Sequence, residues 1–435
     1  MKRWLQKVLE WKLAKIARWV INKYQPDIIG ITGSVGKTST KEAISCVLKQ
    51  RFSVRSNTGN YNNELGLPLA IIDGKAHGAN IFGWMKELFK GLWLVIKRHD
   101  YPKILVLEMG AEKVGDIDHL LNIAPARIGV LTAIAPAHLE FFGSMEKLVQ
   151  EKSKIITGLP EDGFGIINGD DERIMKIQFP KDVPIATYGL KKNNEVRADN
   201  LKLRATKIRT TDSLSKEVIR GKTFELVHEG ISQPIFLPNV IGWQIVQSAL
   251  AAAIVGISYG LSLPDIATRL ANFQTPRGRM SLLRGANGSY IIDDSYNSSP
   301  QAVSAALAVL KKFPKAEKRI AVLGYMAELG DYENKGHQEV GQAAGKIADQ
   351  VIAVGRMADV IAAAAKKAGL AESAVAQFSD SVKAGDYLRR ELTPGDVVLV
   401  KGSQVSRMEM AVKKLMAEPM RASELLVRQG KEWQQ

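Results

Sequence analysis

The stretch Gly30-Ile31-Thr32-Gly33-Ser34-Val35-Gly36-Lys37-Thr38 constrains this chain more than any other. The apolar pair Ile28 and Ile29 precedes it, and a segment of helical spacing, Ser39 to Gln50, follows. Strand, glycine-rich turn and helix in that order form a cradle for phosphate. Glycine lets the backbone curl so that N–H groups converge, and the helix N-terminus adds positive potential. Gly33, Ser34, Val35, Gly36, Lys37, Thr38 and Ser39 are thus the candidate nucleotide-phosphate residues. Lys37 is placed to reach the terminal phosphates, and the Thr38 hydroxyl to hold Mg²⁺. The general pattern has a glycine five residues before Gly36, where Ile31 stands; glycines at 30, 33 and 36 suit a narrower set of enzymes. An ordinary glycine turn is the competing reading, and Gly-Lys-Thr directly after a strand weighs against it.

A chain of 435 residues is long enough for two or three domains. The single cysteine, Cys46, excludes an internal disulfide framework and a cysteine-rich zinc site, and a reducing cytoplasm suits it. A formal charge of +15 implies acidic partners: nucleotides, anionic lipid or nucleic acid. Charge alone suggests nucleic acid, and no stacking-aromatic motif accompanies it, so no nucleic-acid partner is expected. No stretch reaches the ~18–20 uncharged apolar residues of a spanning helix. Charges interrupt the first 25 residues, so no signal peptide is evident. The protein is expected in the cytoplasm.

Two segments read as basic amphipathic helices. In residues 1–24, Leu5, Val8, Leu9, Leu13, Ile16 and Val20 recur at helical spacing beside Trp4, Trp11 and Trp19, among seven basic residues and one acid, Glu10. Residues 81–97 repeat the pattern with Ile81, Trp84, Met85, Leu88, Leu92, Val95 and Ile96. Both are candidates for contact with a membrane surface. Docking on the protein's own core explains either pattern equally well.

The remaining punctuation implies an α/β chain. Residues 25–274 read as a central domain with a mostly parallel sheet. Within it, Lys103 to Leu107 is a strand ending at Glu108, a carboxylate well placed for Mg²⁺ beside the phosphate loop. Residues 185–237 read as short antiparallel strands. In residues 275–435, apolar runs at 319–323, 351–354 and 397–400 alternate with helices, the pattern of a doubly wound, Rossmann-like domain. Loops at its strand ends carry Lys401 and Ser403, candidates for substrate contact.

Nine ordered motifs now carry a resemblance: GITGSVGKTSTKE, NTGNYNNELGLP, EMG, APAHLEFFGS, NGDD, GRM, IDDSYNSSP, AVLGYMAELG and VLVKGSQVSRM. Together, over about residues 26 to 415, they resemble the Mur ligases, and most of all the branch that adds D-alanyl-D-alanine to a muramoyl tripeptide. The resemblance implies a monomeric, ATP-dependent amide-bond ligase of cell-wall precursor synthesis. It implies two Mg²⁺ ions, the second involving His138 and a carbamylated Lys152. It places Asn60, Asn62 and Asn63 near phosphate and the muramoyl-peptide acceptor, and Arg279, Asp294 and Asn297 near nucleotide. Closure of the C-terminal domain would bring D-alanyl-D-alanine to the ATP and exclude water. Three departures stand out. About 25 residues precede the phosphate-loop strand, where the family carries a domain for the UDP-muramoyl moiety, so this moiety is expected to be held differently. Gln244 and Ser248 stand where the family has His and Asn, and Lys154 occupies an often acidic position. Competing readings are a Mur-like amide ligase acting on a lipid-linked or other non-UDP acceptor, a folate-type polyglutamate ligase, which IDDSYNSSP and KGSQVSRM disfavour, and a nucleotide-binding scaffold without activity.

Overall fold

The computed structural model describes residues 3–57, 61–135, 139–209, 215–430 and Trp433. It divides into two compact units: Met1–Lys202 with Thr223–Leu237 and Gln244–Gln274, and Leu203–Lys222 with Pro238–Trp243 and Thr275–Gln435.

The first begins with α1 (Arg3–Tyr24), β1 (Asp27–Thr32), α2 (Lys37–Leu48), β2 (Val54–Ser56), α3 (Gly66–Ile72), α4 (Ile81–Ile96) and β3 (Ile104–Glu108). There follow α5 (Asp116–Ile123), β4 (Ile128–Leu131), α6 (Leu139–Phe142), α7 (Met145–Thr157), β5 (Phe164–Asn168) and β6 (Ile185–Gly189). Then come β7 (Val196–Arg209), β8 (Ser215–His228), β9 (Ile231–Pro238), α8 (Trp243–Ser258) and α9 (Leu263–Leu270). The strands lie in the order β2-β3-β1-β4-β5-β6-β7-β8-β9. β1 pairs in parallel with both β3 and β4, so the phosphate-loop strand is flanked on each side. Every residue of β3 and β4 is buried, as strands covered on both faces require. Residues 185–237 differ from the expected short antiparallel strands. β6 pairs in parallel with β5, and β7 and β8 run 14 residues each. Five residues carry too little alternation to reveal a parallel partner.

α1 is docked. Leu9, Leu13, Ile16, Ala17, Val20 and Ile21 enter one apolar core with Leu69, Ile72, Trp84 and Leu105. α4 lies beside α1. A Cβ on Gly91 would stand 2.6 Å from Ile16 Cγ2. Lys23 Nζ donates to the carbonyls of Leu94 and Val95 at 3.0 and 2.9 Å, and Tyr24 OH to that of Leu94 at 3.0 Å, capping the last turn of α4 from α1. No helix among the described residues is long and apolar enough to cross a membrane.

The second unit contains β10 (Ser281–Arg284), β11 (Tyr290–Asp294), α10 (Pro300–Lys311), β12 (Arg319–Gly324), α11 (Glu333–Gly345) and β13 (Gln350–Val354). It continues with α12 (Ala358–Lys367), β14 (Val375–Phe378), α13 (Ser381–Glu391), β15 (Val397–Lys401), α14 (Glu409–Leu415) and α15 (Ala422–Leu425). The sheet order is β10-β11-β15-β12-β13-β14. Only the β10–β11 pair is antiparallel. Successive residues feed opposite faces: Ile292, Ala321 and Leu323 enter one apolar cluster, Ile291, Ile320 and Val322 the other. This is the doubly wound architecture expected from the sequence.

The α1–α4 contact yields a test. Gly91→Leu crowds Ile16 and should lower stability by about 1–3 kcal/mol, read as a drop in the thermal unfolding midpoint.

Candidate active site

Gly33 and Gly36 adopt φ of 148° and 90°. A Cβ on Gly33 would stand 2.1 Å from Thr132 Oγ1, so glycine is needed for the loop to lie against the end of β4. The loop is tied down there. Ser34 N donates to Ala133 O at 2.7 Å, Ser34 Oγ to Ala135 O at 2.8 Å, and Thr132 Oγ1 to Val35 O at 2.7 Å. Gly36 caps α2, whose first turn holds Lys37, Thr38 and the buried Ser39. Val35 is exposed. Lys37 Nζ donates to Gly33 O at 2.7 Å, folded across the loop.

Register places the carboxylate. Ile31 of β1 lies opposite Glu108 of β3. Thr38 Oγ1 donates to Glu108 Oε2 at 2.8 Å, and Asn62 Nδ2 to Glu108 Oε1 at 2.9 Å. Asn57 clamps the backbone: Glu108 N donates to Asn57 Oδ1 at 2.9 Å, and Asn57 Nδ2 returns a bond to Glu108 O at 3.0 Å. A hydroxyl and one oriented carboxylate suit Mg²⁺, which takes few protein ligands and keeps phosphate and water oxygens. Among the described residues there is no cluster of three or more His, Cys, Asp or Glu able to hold a metal. Asn63 has a structural engagement, its Oδ1 accepting from Gly66 N at 2.9 Å as α3 begins. Asn60 and His138 lie outside the described residues.

Lys152, on α7, is 2% exposed. Burial, and then the Lys37 ammonium, push its amine down to about 7, against the upward pull of Glu151 and Asp116. Lys152 lines a cavity of about 150 Å³ together with Gly33, Ser34, Lys37, Asn62 and Asn63. The fold thus brings phosphate loop, amide-rich loop and buried lysine to one space. The neighbours of Lys152 do other work. Glu151 accepts from the N–H groups of Gly115 and Ile117 at 2.9 and 2.7 Å. Lys154 pairs with Asp118 at 2.6 Å and Glu151 at 2.7 Å. Asp116, which the sequence reading missed, also lines the cavity. Its Oδ2 accepts from Glu112 N and Lys113 N, both at 2.9 Å. An acid opening a helix just after a glycine was the available signal. Ser248, an expected departure, is buried and accepts from Thr40 Oγ1 at 3.1 Å, fastening α8 to the phosphate-loop helix.

In the second unit, Lys401 Nζ meets Asp294 Oδ2 at 2.5 Å and donates to Asn297 O at 3.0 Å. Asp294 Oδ1 accepts from Met280 N at 3.1 Å, and the neighbouring Arg279 guanidinium lies 4.1 Å over the Tyr296 ring. Arg279, Asp294, Asn297 and Lys401 are therefore one neighbourhood. Ser403 stands apart: buried, its Oγ donates to Tyr325 O at 2.7 Å. Arg428 was not foreseen. It donates to Ser295 O at 2.6 Å, Tyr296 O at 3.0 Å and Glu409 Oε2 at 2.9 Å, bracing the Asp-Ser-Tyr-Asn loop. In the sequence it is one cation in a basic tail.

A phosphate loop whose threonine meets a strand-end carboxylate, beside a buried lysine and on a parallel sheet, defines a nucleotide-dependent α/β enzyme. The Mur ligase middle domain matches residues 31–82 and 91–256, and the Mur ligase, glutamate ligase domain matches 278–404. The UDP-N-acetylmuramoyl-tripeptide–D-alanyl-D-alanine ligase of Bacillus subtilis is 30% identical over 94% of this chain and 80% of its own length. Its Escherichia coli namesake is 30% identical over 92% and 79%. Among solved structures, the MurF ligase of Thermotoga maritima in complex with ADP superposes with a TM-score of 0.75 and 27% identity, over 95% of this chain and 84% of that one. The chain belongs to the Mur ligase family, and it is an ATP-dependent ligase.

The Asn62–Glu108 bond gives a prediction. Asn62→Ala leaves one carboxylate oxygen unsupported and should weaken Mg²⁺-dependent ATP binding by about ten- to a hundredfold. Titration calorimetry with MgATP, compared with ATP in chelator, reads it; nucleotide affinity in chelator should not change.

Proposed function

We propose that this protein joins D-alanyl-D-alanine to the terminal carboxylate of a UDP-muramoyl tripeptide, in the cytoplasm and as a monomer. The observation that carries the reading is the meeting of Lys37 and Lys152 at one cavity, also lined by Asn62, which bonds the Glu108 carboxylate that Thr38 meets, in a chain related to ligases of that name along most of its length.

Condensing a carboxylate with an amine in water is uphill, so the carboxylate is first activated. A substrate oxygen attacks the γ-phosphorus of ATP and ADP leaves, giving an acyl phosphate. The amine of D-alanyl-D-alanine then attacks the acyl carbon, inorganic phosphate leaves and the nitrogen loses a proton. The first step brings two anions together. Lys37 and the N–H groups around Gly33 and Gly36 lower that repulsion by holding the phosphates. Thr38 and Glu108 would hold Mg²⁺, which supplies charge neutralisation at the phosphate oxygens. Asn62 and Asn63, with Asn60, border the acceptor. Arg279, Asp294 and Asn297 contact nucleotide, Lys401 orienting Asp294 and Ser403 fixing the adjoining turn.

Lys152 has a chemistry of its own. An ammonium binds no metal. With its amine at about 7, a large neutral fraction is present at neutral pH. That amine adds CO₂ and releases a proton, turning a cation into an anionic oxygen ligand able, with His138, to serve a second Mg²⁺.

Two measurements test this. Phosphate release should require ATP, Mg²⁺, D-alanyl-D-alanine and the UDP-muramoyl tripeptide; stimulation only by glutamate with a folate overturns the assignment. Modification should follow pH with a defined sign. Below about pH 7 the amine is protonated and each further unit removes roughly tenfold of the neutral form, so the carbamate signal from labelled bicarbonate, read by NMR, should fade from pH 8 to 6. Lys152→Ala should lack that signal and lose most ligase activity.

A further inference from the structure

α1 and α4 bury one face each and leave another face apolar. On α4, Phe82, Met85, Phe89, Trp93 and Ile96 recur at helical spacing, and all five are exposed, Phe82 by 83% and Ile96 by 77%. On α1, Trp4, Trp11 and Trp19 are exposed on the side away from Leu13 and Ala17, Trp4 by 70%. The helices run in the same direction side by side, Ile16 against Gly91 and Lys23 at the carbonyls of Leu94 and Val95. Both buried faces enter the same core, so both exposed faces point away from it. An unpartnered row of large aromatics on neighbouring helices is far from the scattered apolar residues of an ordinary surface.

The exposed charges carried by the two helices are basic, and the exposed acid beside them, Asp73, is paired with Lys90 at 3.3 Å. Lys7, Lys12, Lys15, Arg18, Lys86 and Lys97 are exposed on the two helices. The acids are accounted for: Glu87 is buried against His77 at 2.9 Å, and the half-buried Glu10 accepts from Gln6 at 2.9 Å. Lys15 Nζ lies between two indoles, 5.1 Å from the Trp11 ring and 5.3 Å from the Trp19 ring, and Lys97 Nζ lies 5.6 Å from Trp93. Indoles interleaved with lysines suit the boundary between acyl chains and headgroups. There the ring enters the apolar layer and the ammonium reaches lipid phosphate. A protein partner with an apolar groove would explain the aromatics but not the surrounding cations.

The location separates this face from the chemistry. The family's middle-domain match begins at residue 31, breaks after 82 and resumes at 91. α1 and residues 83–90 of α4 therefore lie outside the match, while Phe82, Trp93 and Ile96 lie within it. None of the residues of this face lines the cavity at the phosphate loop.

We propose that the α1–α4 face docks this protein peripherally on an anionic lipid bilayer, the aromatics of both helices entering the interface and the flanking lysines pairing with headgroup phosphates. Neither helix crosses. Binding comes from apolar area plus charge and is therefore reversible and salt-sensitive.

Co-sedimentation of the whole chain with phosphatidylglycerol–phosphatidylcholine vesicles tests it, alongside pure phosphatidylcholine vesicles. Expected is binding to the anionic vesicles, weakened about tenfold or more by raising salt from 0.1 to 0.5 M, with a blue shift of tryptophan emission. Phe82→Gln/Phe89→Gln/Trp93→Gln and, separately, Lys7→Glu/Lys15→Glu/Lys86→Glu should each reduce partitioning about tenfold or more. Both variants should keep the thermal midpoint and the ATP affinity of the parent chain. Failure to sediment, equal binding to both vesicle types, or undiminished binding by the aromatic variant overturns the proposal. So does a dimer in sedimentation-velocity runs that the aromatic variant dissolves while vesicle binding persists, because the face would then belong to a second copy.

Discussion

Parallel pairing of β1 with β3, with Ile31 opposite Glu108, is the constraint on which the rest of the first unit depends. It brings the Thr38 hydroxyl within 2.8 Å of a carboxylate that arrives from 70 residues further along the chain. A slip of one residue would turn Glu108 to the opposite face of the sheet and leave the phosphate loop without its acid. The clamp by Asn57 on both the N–H and the C=O of Glu108 holds that register at the strand end. Missing side chains do comparable work on the neighbouring surface. A Cβ on Gly30 would stand 2.8 Å from Ile155 Cδ1, and one on Gly129 2.2 Å from Ile155 O. These two glycines let α7 lie directly on β1 and β4. Lys152 sits one turn earlier on that helix and so reaches the end of the sheet where the loop begins.

Two lysines at one small cavity make its electrostatics unusual. Burial opposes the charging of Lys152, and the Lys37 ammonium opposes it further, so a group that is a cation in water has a large neutral fraction here. Glu151 pulls the other way, but its oxygens also accept from the N–H groups of Gly115 and Ile117 and from Lys154. The same carboxylate that braces the α5 loop is thereby kept from fully neutralising its neighbour. Adjacent residues on a helix point in different directions, and in Glu151-Lys152-Ser153-Lys154 that separates a loop brace, a cavity amine and an outer ion pair.

That separation shows why the site was only partly legible in the sequence. The phosphate loop could be read because its constraint is local: glycines, lysine and threonine at fixed spacing. Glu108 could be read because a strand ending in an acid is a local pattern too. Lys152 could not be distinguished from a solvated run of charges without the family resemblance, since what singles it out is burial by residues distant in sequence. Asp116 and Arg428 act on backbone groups of loops, a role that leaves almost no trace in composition. α1 was ambiguous for a different reason. Its buried stripe and its exposed indoles share one amphipathic period, and a membrane surface and a protein core ask for the same spacing. The structure buries the inner stripe in the core and leaves the outer one exposed.

The second unit shows how one buried cation divides two adjacent acids. Asp293 and Asp294 end β11, and alternation along a strand sends their side chains to opposite faces. Lys401 lies opposite Asp294 in the parallel β11–β15 register and pairs with it at 2.5 Å. Asp293 faces the other way, fully buried, with Oδ2 lacking a hydrogen-bond partner among the described residues. Burial therefore raises its carboxyl to about 6, and the nearby Asp294 and Glu409 charges add to the shift, while bonds from Ser295 oppose it. A carboxyl that holds its proton more tightly when folded favours the fold at low pH and withdraws that support as pH rises through about 6. The other oxygen of Asp293, Oδ1, accepts from the N–H of Ser295 at 3.1 Å, the first residue of the loop that Arg428 braces. The Ser295–Asn297 turn that follows is held from both sides, by Lys401 at the Asn297 carbonyl and by Arg428 at the carbonyls of Ser295 and Tyr296.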